Sequence, residues 1–489
     1  MIGTVASILF KRASIEKWNE FDQTLMLVFT IAQSVIWIMI PGLAFLYSGL
    51  ARRKSALSMI WIVIASSFVG IFQWYFWGYS LAFSASSNSF IGNLEYFGFK
   101  GLLASPSDET YPLLAFSLFQ MEFMLVTLAI IAGPCVAERG RFLPAIVFFF
   151  CWATIVYCPV VYWIWGGGWA AKWGVLDYAG GGPVEILSGV TALVYSYFLG
   201  RRNETLMINY RPHNISTIFT GTALLYVGWL FFNGFSAGNA SLKVPYSMMN
   251  SHLSAAFGAL TWCLLDYRLE KKWSMVAVCS GCISGLVAAT PSSGIIPLWA
   301  SVILGIVTGI VSNFSTQIKN LMRIDESLDA FAEHGIAGMV GLIFNGIFGS
   351  RTVIGYDGVT DHAGGWIDHN WKQLYKQICY ILAVTAYGAG VSAVICIVLN
   401  YIPGLYLRVD YEGEERGIDE DQIGEFAYDY VEVRRDYLSW ANPQPASTYS
   451  AGEKGEELEH PVEDDDHAVG SSNASVHEPI IHEKNVASA

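Results

Sequence analysis

The chain has 489 residues, of which 53% are apolar, 15% are aromatic and only 14% are charged. Because soluble domains carry roughly 25% charged residues, this composition excludes an ordinary soluble protein and favours a membrane protein. The formal net charge of −13 comes from residues 410–489, which hold 21 Asp and Glu against five Lys and Arg, so the rest of the chain is slightly basic and nothing indicates a nucleic-acid partner.

Apolar runs long enough to cross a bilayer recur along the chain, separated by short polar loops. An α-helix rises ~1.5 Å per residue, so about 20 apolar residues span the hydrocarbon core. The runs predict an all-α polytopic membrane protein with eleven transmembrane helices. These helices are predicted at 25–50, 55–83, 112–137, 142–164, 183–200, 214–235, 247–267, 273–291, 293–313, 331–350 and 375–402.

The loops between these helices differ in basic residues. One alternating set holds 13 Lys and Arg and the other holds six. The positive-inside rule then places the amino terminus outside and the carboxyl terminus inside, although Lys11, Arg12 and Lys17 argue weakly against this orientation. An odd number of helices suggests two inverted five-helix repeats plus one peripheral helix, without visible self-similarity in the sequence.

Four regions follow from this pattern. Residues 1–24 are predicted to be a short extracellular segment, whose apolar run is too brief to span a membrane and lacks a convincing signal-peptide cleavage site. Residues 25–402 form the eleven-helix domain. Residues 403–440 keep aromatic residues among the acids and could dock on the cytoplasmic face. Residues 441–489 are rich in Pro, Ser, Gly, Asp and Glu, which predicts an acidic, disordered cytoplasmic tail.

The eight cysteines all lie in or beside apolar segments. A disulfide framework would occupy the loops of a secreted domain, so we interpret these cysteines as small packing residues. Cys279 and Cys282 form a CxxC pair, but it lies inside an apolar helix and has no second pair to complete a metal site. The sequence therefore predicts neither a metal nor a cofactor.

Two ionisable residues lie at membrane depth. Glu185 is in the fifth predicted helix and His334 is in the tenth, and these two helices run in opposite senses. An isolated charge at the bilayer centre costs at least ~2.5–3.5 kcal/mol, so a pair facing a shared lumen is the economical arrangement. Such a pair favours an ion or proton path. The alternative is a buried ion pair that only fixes helix register.

Aromatic residues cluster near the predicted outer ends of several helices. Phe123, Trp165, Phe232 and Ser236 could converge at one mouth. A cation close to aromatic faces gains ~0.5–2 kcal/mol, and a hydroxyl can add a hydrogen bond. Each aromatic residue taken singly is ordinary for a membrane protein, because such residues collect at membrane interfaces.

Six motifs follow one another along the chain: PGLAFLYSGLARRK (41–54), WIWGGGW (163–169), DYAGGGPVEILSG (177–189), GWLFFNGFSAGNAS (228–241), RIDESLDAFAEHG (323–335) and GIDEDQIGEFAYD (417–429). Together they resemble the ammonium transporters of the Amt/Mep/Rh superfamily over all eleven helices and the first part of the tail. Trp165 favours the Amt/Mep branch over the Rhesus branch. The long tail resembles that of the fungal Mep permeases.

The resemblance implies roles for particular residues. Trp165, Phe123 and Ser236 would form the outer ammonium site, and Phe123 with Phe232 would form a two-phenylalanine gate. Further family positions imply supporting roles for Asp177, Trp229, Asn233 and Asp329.

The paired pore histidines of most family members would fall at Glu185 and His334, as a proton relay. Glutamate at the first of these positions departs from the common pattern and resembles the low-affinity, high-capacity fungal permeases. Glu122 and Glu333 are further acids where neutral residues are expected, and the sequence does not indicate which way they point.

By resemblance the protein is expected to be an ammonium permease of the plasma membrane rather than an enzyme. It would bind NH4+, with methylammonium as an analogue, and move NH3 plus a proton inward. The alternatives are an ammonium sensor in which transport is secondary, and an electroneutral NH3 channel. Its implied partners are the lipid bilayer, other subunits of a homotrimer or of mixed trimers with paralogues, and a kinase or regulatory protein at the tail.

Overall fold

The computed structural model describes residues 23–85, 88–102, 113–204 and 211–428. Within these ranges the protein is all-helical and contains no β-strand, with one isolated antiparallel bridge between Gly140 and Arg408. The predicted segment 441–489, and all but the last residues of the predicted segment 1–24, lie outside the described residues.

Eleven long helical segments correspond to the eleven predicted apolar runs. They are α1 Leu25–Leu50, α2 Arg53–Phe83, α3 Leu113–Val136, α4 Phe142–Trp173, α5 Gly181–Leu199, α6 Ile215–Phe235, α7 Lys243–Glu270, α8 Met275–Ser292, α9 Leu298–Leu321, α10 Phe331–Phe348 and α11 Lys372–Tyr401. Short helices at Arg351–Ile354, Gly355–Asp357 and Trp366–Asp368 connect α10 to α11.

Ten of these segments are long and apolar enough to cross a membrane, counted over the described residues. The remaining segment, α7, is a continuous helix of 28 residues. It carries more polar side chains than the others, including a buried Asn250 and several buried serines, and so does not qualify by composition. The prediction of an all-helical membrane protein is therefore confirmed. The number of eleven crossings and their orientation remain predictions.

The boundary between α8 and α9 differs from the prediction. The predicted ninth helix begins at residue 293, whereas α9 begins at Leu298. Pro297 precedes it in an extended conformation, and proline has no N–H to continue a helix from the preceding turn. The segment between the helices is a turn whose Ile295 and Ile296 are buried.

Helices α7 and α8 pack closely through glycines. A Cβ on Gly258 would lie 2.5 Å from the carbonyl oxygen of Gly281, which is too close for any real side chain. Gly285 likewise faces the backbone of Ser254. Small residues that let helix backbones approach are typical of helix packing in membranes, where dispersion contacts rather than the hydrophobic effect hold helices together.

The basic loops meet at one end of the bundle. Glu138 accepts hydrogen bonds from Arg52 (3.0 Å) and Arg202 (2.9 Å), and Arg202 also pairs with Asp325 (2.8 Å). Arg139 donates to the carbonyl oxygen of Asp325 (2.5 Å). Four loops that the charge pattern assigned to the same side are thus joined by a mostly buried ionic network.

The first part of the tail contacts this same end. A short helix at Tyr411–Arg416 places Glu414 beside Arg408 (2.6 Å). Asp419 accepts hydrogen bonds from the backbone nitrogens of Leu57 (3.0 Å) and Ser58 (2.7 Å), in the first turns of α2. The described part of the tail therefore caps a helix of the bundle.

Candidate functional site

The structure brings Glu185 and His334 together. Nδ1 of His334 lies 2.8 Å from Oε2 of Glu185, and both side chains are buried. The second carboxylate oxygen of Glu185, Oε1, has no hydrogen-bond partner among the described residues. The Thr290 hydroxyl lies near this carboxylate, but it donates to the carbonyl oxygen of Leu286 (3.1 Å). The site therefore has an unused acceptor at the predicted membrane depth.

Matching local structure positions the two residues. α5 begins with a π-helical turn, Gly181–Ile186, that carries Glu185, and α10 begins with a π-helical turn, Phe331–Ile336, that carries His334. π turns within helices are rare and are frequent at functional sites. The two helices touch where Gly189 meets Gly335. A Cβ on Gly189 would lie 2.3 Å from the backbone nitrogen of Gly335, so glycine at position 189 allows the two helices to come this close.

Four aromatic rings lead from one end of the bundle to this pair. Trp165 meets Phe123 edge to face, with 5.8 Å between ring centroids, and Phe123 lies against Phe232 at 3.9 Å. Phe232 contacts Trp229 at 6.4 Å, and Trp229 stacks on His334 at 6.2 Å. Phe123 and Phe232 are almost fully buried, so their contact closes the column of rings between Trp165 and His334.

A cavity of about 470 Å³ opens beside Phe123. Phe123, Trp165 and Ser236, the three residues of the predicted ammonium site, all line this cavity. The Ser236 hydroxyl donates to the carbonyl oxygen of Phe232 (2.8 Å), which leaves its oxygen lone pairs as acceptors. Trp165 donates its indole N–H to the carbonyl oxygen of Asp177 (3.2 Å), which fixes the ring plane.

Asp177 caps the start of α5. Its carboxylate accepts the backbone N–H groups of Gly180 (3.1 Å), Gly181 (2.6 Å) and Gly182 (2.8 Å), and the Tyr380 hydroxyl lies at 3.3 Å. Burial raises the pKa of Asp177 to about 6, although the backbone donors act in the opposite direction. This residue thus holds the turn that carries Glu185.

The other three supporting residues lie in different places. Trp229 donates to Thr290 (2.8 Å), and Asn233 donates to Ser251 (2.8 Å), so both link α6 to its neighbours beside the ring column. Asp329 instead forms an ion pair with Lys319 (2.6 Å), four residues from Asp325 of the ionic network. It does not line the cavity that contains Trp165 and Ser236.

The two additional acids do not face the Glu185–His334 pair through any contact that the structure describes. Glu333 is buried beside Ser280 of α8. Glu122 is buried with its Oε2 unpartnered in the described part of the chain, and it is not among the cavity-lining residues. Neighbours along a helix point about 100° apart, so adjacency to Phe123 or His334 does not place a side chain in the same space.

Sequence reasoning missed an ion pair in the cavity wall. Nζ of Lys243 lies 2.7 Å from Oδ2 of Asp357, and both residues line the cavity with Trp165 and Ser236. The two residues are 114 positions apart and each sits in an ordinary polar loop or helix end. No local pattern could have joined them.

Comparison with known proteins identifies similar chains. Residues 27–428 match the Ammonium Transporter Family. Ammonium transporter MEP3 of Saccharomyces cerevisiae is 55% identical over 477 residues, covering 95% of this chain and 97% of the relative. Ammonium transporter MEP1 of the same yeast is 59% identical over 424 residues, covering 86% of each chain. The crystal structure of Saccharomyces cerevisiae Mep2 superposes with a TM-score of 0.76 at 43% identity, covering 80% of this chain and 91% of that one.

Proposed function

Because the chain belongs to the ammonium transporter family, we propose that it is an ammonium permease. It gathers NH4+ in the cavity lined by Trp165, Phe123 and Ser236, which we call the vestibule, and passes NH3 and a proton inward. The resemblance drawn from the six motifs is confirmed at the level of the family. The observation that carries the proposal is the row of four aromatic rings, Trp165, Phe123, Phe232 and Trp229. This row ends at the buried, hydrogen-bonded Glu185–His334 pair.

Recruitment is the first step of the proposed mechanism. NH4+ in the vestibule would lie against the faces of Trp165 and Phe123, where cation–π attraction contributes ~0.5–2 kcal/mol. The Ser236 oxygen, which is free to accept, would take one N–H hydrogen bond. The ion keeps part of its hydration in a cavity of this size, so binding is expected to be weak.

Selectivity follows from deprotonation. NH4+ and K+ have the same charge and similar size, but only NH4+ can lose a proton and become a neutral molecule. The Phe123–Phe232 contact, with centroids 3.9 Å apart, leaves no room for a hydrated ion and would open briefly for NH3. A gate that excludes ions but admits neutral NH3 therefore distinguishes NH4+ from K+ by the ability to lose a proton and not by ionic radius.

Proton transfer is assigned to the buried pair. In the cavity the N–H bond of NH4+ breaks and the proton passes to the carboxylate of Asp177, which lines the cavity. NH3 then crosses the gate, and the proton is relayed to the hydrogen-bonded Glu185–His334 pair before it continues inward. Oε1 of Glu185, which lacks a partner among the described residues, can accept an N–H of NH3 at the same time. The net movement is one NH3 and one proton, which makes uptake electrogenic.

The wider organisation is part of the same proposal. Eleven crossings with the amino terminus outside would give α5 and α10 opposite senses, and their matching π turns support two inverted five-helix repeats. Asp177, Trp229, Asn233 and Asp329 would act as supporting residues. The protein would lie in the plasma membrane as a homotrimer, alone or mixed with paralogues, with residues 403–440 as a regulatory segment, 441–489 as an acidic tail and a kinase or regulatory protein acting there.

Uptake of labelled methylammonium tests the proposal. The full chain would be expressed in cells that lack ammonium uptake of their own, and growth on low ammonium would be measured beside it. We expect saturable uptake that ammonium inhibits and potassium does not. A chain that reaches the plasma membrane and gives no uptake above control cells would overturn the proposal.

A further inference from the structure

The cavity wall contains a second arrangement suited to a cation. The Thr360 hydroxyl donates to the Asp357 carboxylate, and the Lys243 ammonium group lies near both that carboxylate and the Tyr178 ring. Nζ of Lys243 is 2.7 Å from Oδ2 of Asp357 and 5.7 Å from the centroid of the Tyr178 ring. Only 6% of the Lys243 side chain and 5% of the Asp357 side chain remain exposed.

Lysine is chemically a tethered alkylammonium ion. Its –NH3+ group has the same charge as NH4+ and three of the same N–H donors. A carboxylate, an aromatic face and a hydroxyl oxygen are the groups that a free ammonium ion would seek. Because Lys243 and Asp357 line the same cavity as Trp165, Phe123 and Ser236, the tethered and free ammonium ions share one vestibule.

We propose that Asp357, Thr360 and Tyr178 form a second ammonium subsite of the vestibule, and that Lys243 occupies it as a built-in competitor that weakens the apparent affinity. The inference rests on the proposed uptake of ammonium. Lys243 acts in two ways. It neutralises the carboxylate that would otherwise attract cations, and it fills the position that a second NH4+ would take.

The Asp357 carboxylate does not depend on Lys243 for its orientation. It also accepts hydrogen bonds from the backbone nitrogens of Val359 (3.0 Å) and Thr360 (2.8 Å) and from the Thr360 hydroxyl (2.6 Å). Asn239 donates to the carbonyl oxygen of Asp357 (2.9 Å) and ties this turn to the end of α6. Removal of Lys243 should therefore leave a formed, vacant carboxylate site.

The surroundings of that carboxylate favour its ionised form. Burial opposes ionisation, but donation from Lys243 and from Thr360 outweighs it and lowers the pKa of Asp357 to about 2. Without Lys243 the three donors of its own turn remain and continue to stabilise the charged form.

Three variants test the inference by methylammonium uptake in whole cells. Lys243→Met vacates the subsite, and we expect its KM to fall by about three- to tenfold, the range of one charge-assisted hydrogen bond discounted for hydration. Asp357→Asn leaves the Lys243 charge uncompensated beside the recruitment site and should raise KM. The double variant Lys243→Met/Asp357→Asn has neither charge and should return KM close to that of the unmodified protein.

Lys172→Met is the matched control. Lys172 belongs to the same predicted set of loops, but it is exposed and does not line the cavity, so its removal should leave KM unchanged. The amount of each variant at the cell surface is measured so that KM is compared only among delivered proteins. If Lys243→Met does not reach the cell surface, the inference is tested with Asp357→Asn. An unchanged KM in that variant contradicts a role for the Lys243–Asp357 pair.

Two results would overturn the inference without touching the proposed function. One is an unchanged KM in Lys243→Met. The other is an equal fall in KM in the single and the double variant, which would mean that loss of a positive charge, and not a vacated subsite, is responsible. Absence of methylammonium uptake by the unmodified protein would instead contradict the proposed function itself.

Discussion

Glu185 is bonded through one oxygen only. A buried ion pair that serves only to hold helices is expected to satisfy all of its polar atoms, because an unpartnered buried acceptor costs free energy. Here Oε2 meets His334, while Oε1 has no partner among the described residues and Thr290 donates elsewhere. An incompletely satisfied carboxylate at this depth fits a group that receives a proton or a substrate N–H.

Replacement of Glu185 by glutamine tests this role. Glu185→Gln keeps the shape of the side chain but cannot accept a proton, so we expect the maximal uptake rate to fall by about a hundredfold, the low end for loss of a positioned proton acceptor. Methylammonium uptake per surface molecule measures it. Glu333→Gln is the control, because Glu333 is also buried, on the π turn that carries His334, but lies beside Ser280. Equal rates in the two variants would refute the assignment to Glu185.

The phenylalanine contact gives a second prediction at this scale. Phe232→Ala would remove so much packing, ~3–5 kcal/mol, that folding could fail, so Phe232→Leu is preferred. Leucine leaves a gap beside Phe123, where the rings now lie 3.9 Å apart, and water can then enter. We expect potassium leakage into cells to rise while uptake of methylammonium continues. Potassium flux identical to that of the unmodified protein would show that this contact does not exclude ions.

The residues differed in how far the sequence could place them. Glu185 and His334 could be paired because residue counts from charged loops give depth, and a buried charge must have a partner. The pair Lys243–Asp357 could not be placed, since the two residues lie 114 positions apart and their contact depends on how the loop after α10 folds back. The orientations of Glu122 and Glu333 depend on helix rotation, which hydropathy alone does not determine.

At the scale of the helices, the contact between α5 and α10 determines the geometry of the site. Both helices open with a π turn, and the two turns are held together where Gly189 meets Gly335. A Cβ at Gly338 would also lie 2.8 Å from Cβ of Glu185. The glycines therefore set the distance between the two ionisable side chains.

Gly189→Ala is predicted to separate these helices. The new Cβ would collide with the backbone of Gly335, which cannot yield as a flexible side chain would. We expect a lower thermal unfolding temperature in detergent and loss of uptake. In Gly390→Ala, within α11, the added Cβ meets nothing within 4 Å, so stability should be unchanged or rise by up to ~1 kcal/mol. Equal behaviour of the two variants would contradict the close-contact account.

Apolar periodicity located the helices but not their internal breaks. Each of the eleven predicted runs contains a helix, because length and composition suffice to identify a buried apolar helix. The π turns and the late start of α9 arise from local competition for backbone hydrogen bonds and from tertiary contacts. α4 extends to Trp173, beyond its predicted end at residue 164, because the GGG turn is followed by another short helix, Trp169–Trp173.

At the scale of the whole molecule, the ionic network of Arg52, Glu138, Arg202 and Asp325 lies at the end of the bundle where the tail meets the helices that carry the site. Arg202 follows α5 and Asp325 precedes α10, so their ion pair links the ends of both site helices, and Glu138 ties Arg202 to Arg52 before α2. Asp419 of the tail caps the start of α2. A change in tail docking can thus reach the site helices through a short chain of contacts.

Asp419→Asn is predicted to loosen the docked tail. Asparagine cannot supply two acceptor oxygens to Leu57 and Ser58, and loss of a helix cap costs ~1 kcal/mol. We expect faster hydrogen–deuterium exchange in residues 411–423 and at the start of α2. Glu420→Gln is the control, since Glu420 is the exposed neighbour. Unchanged exchange in Asp419→Asn would mean that the cap does not hold the tail.

The central claim is that NH3 and a proton cross together, and the most direct measurement is electrical. Purified protein in proteoliposomes is given an inward ammonium gradient, and the current is compared with that from an equal potassium gradient. The account predicts a saturable inward current with ammonium, none above background with potassium, and a strongly reduced current in Glu185→Gln. Ammonia entry, detected as internal alkalinisation without current, or an equal current with potassium would contradict it.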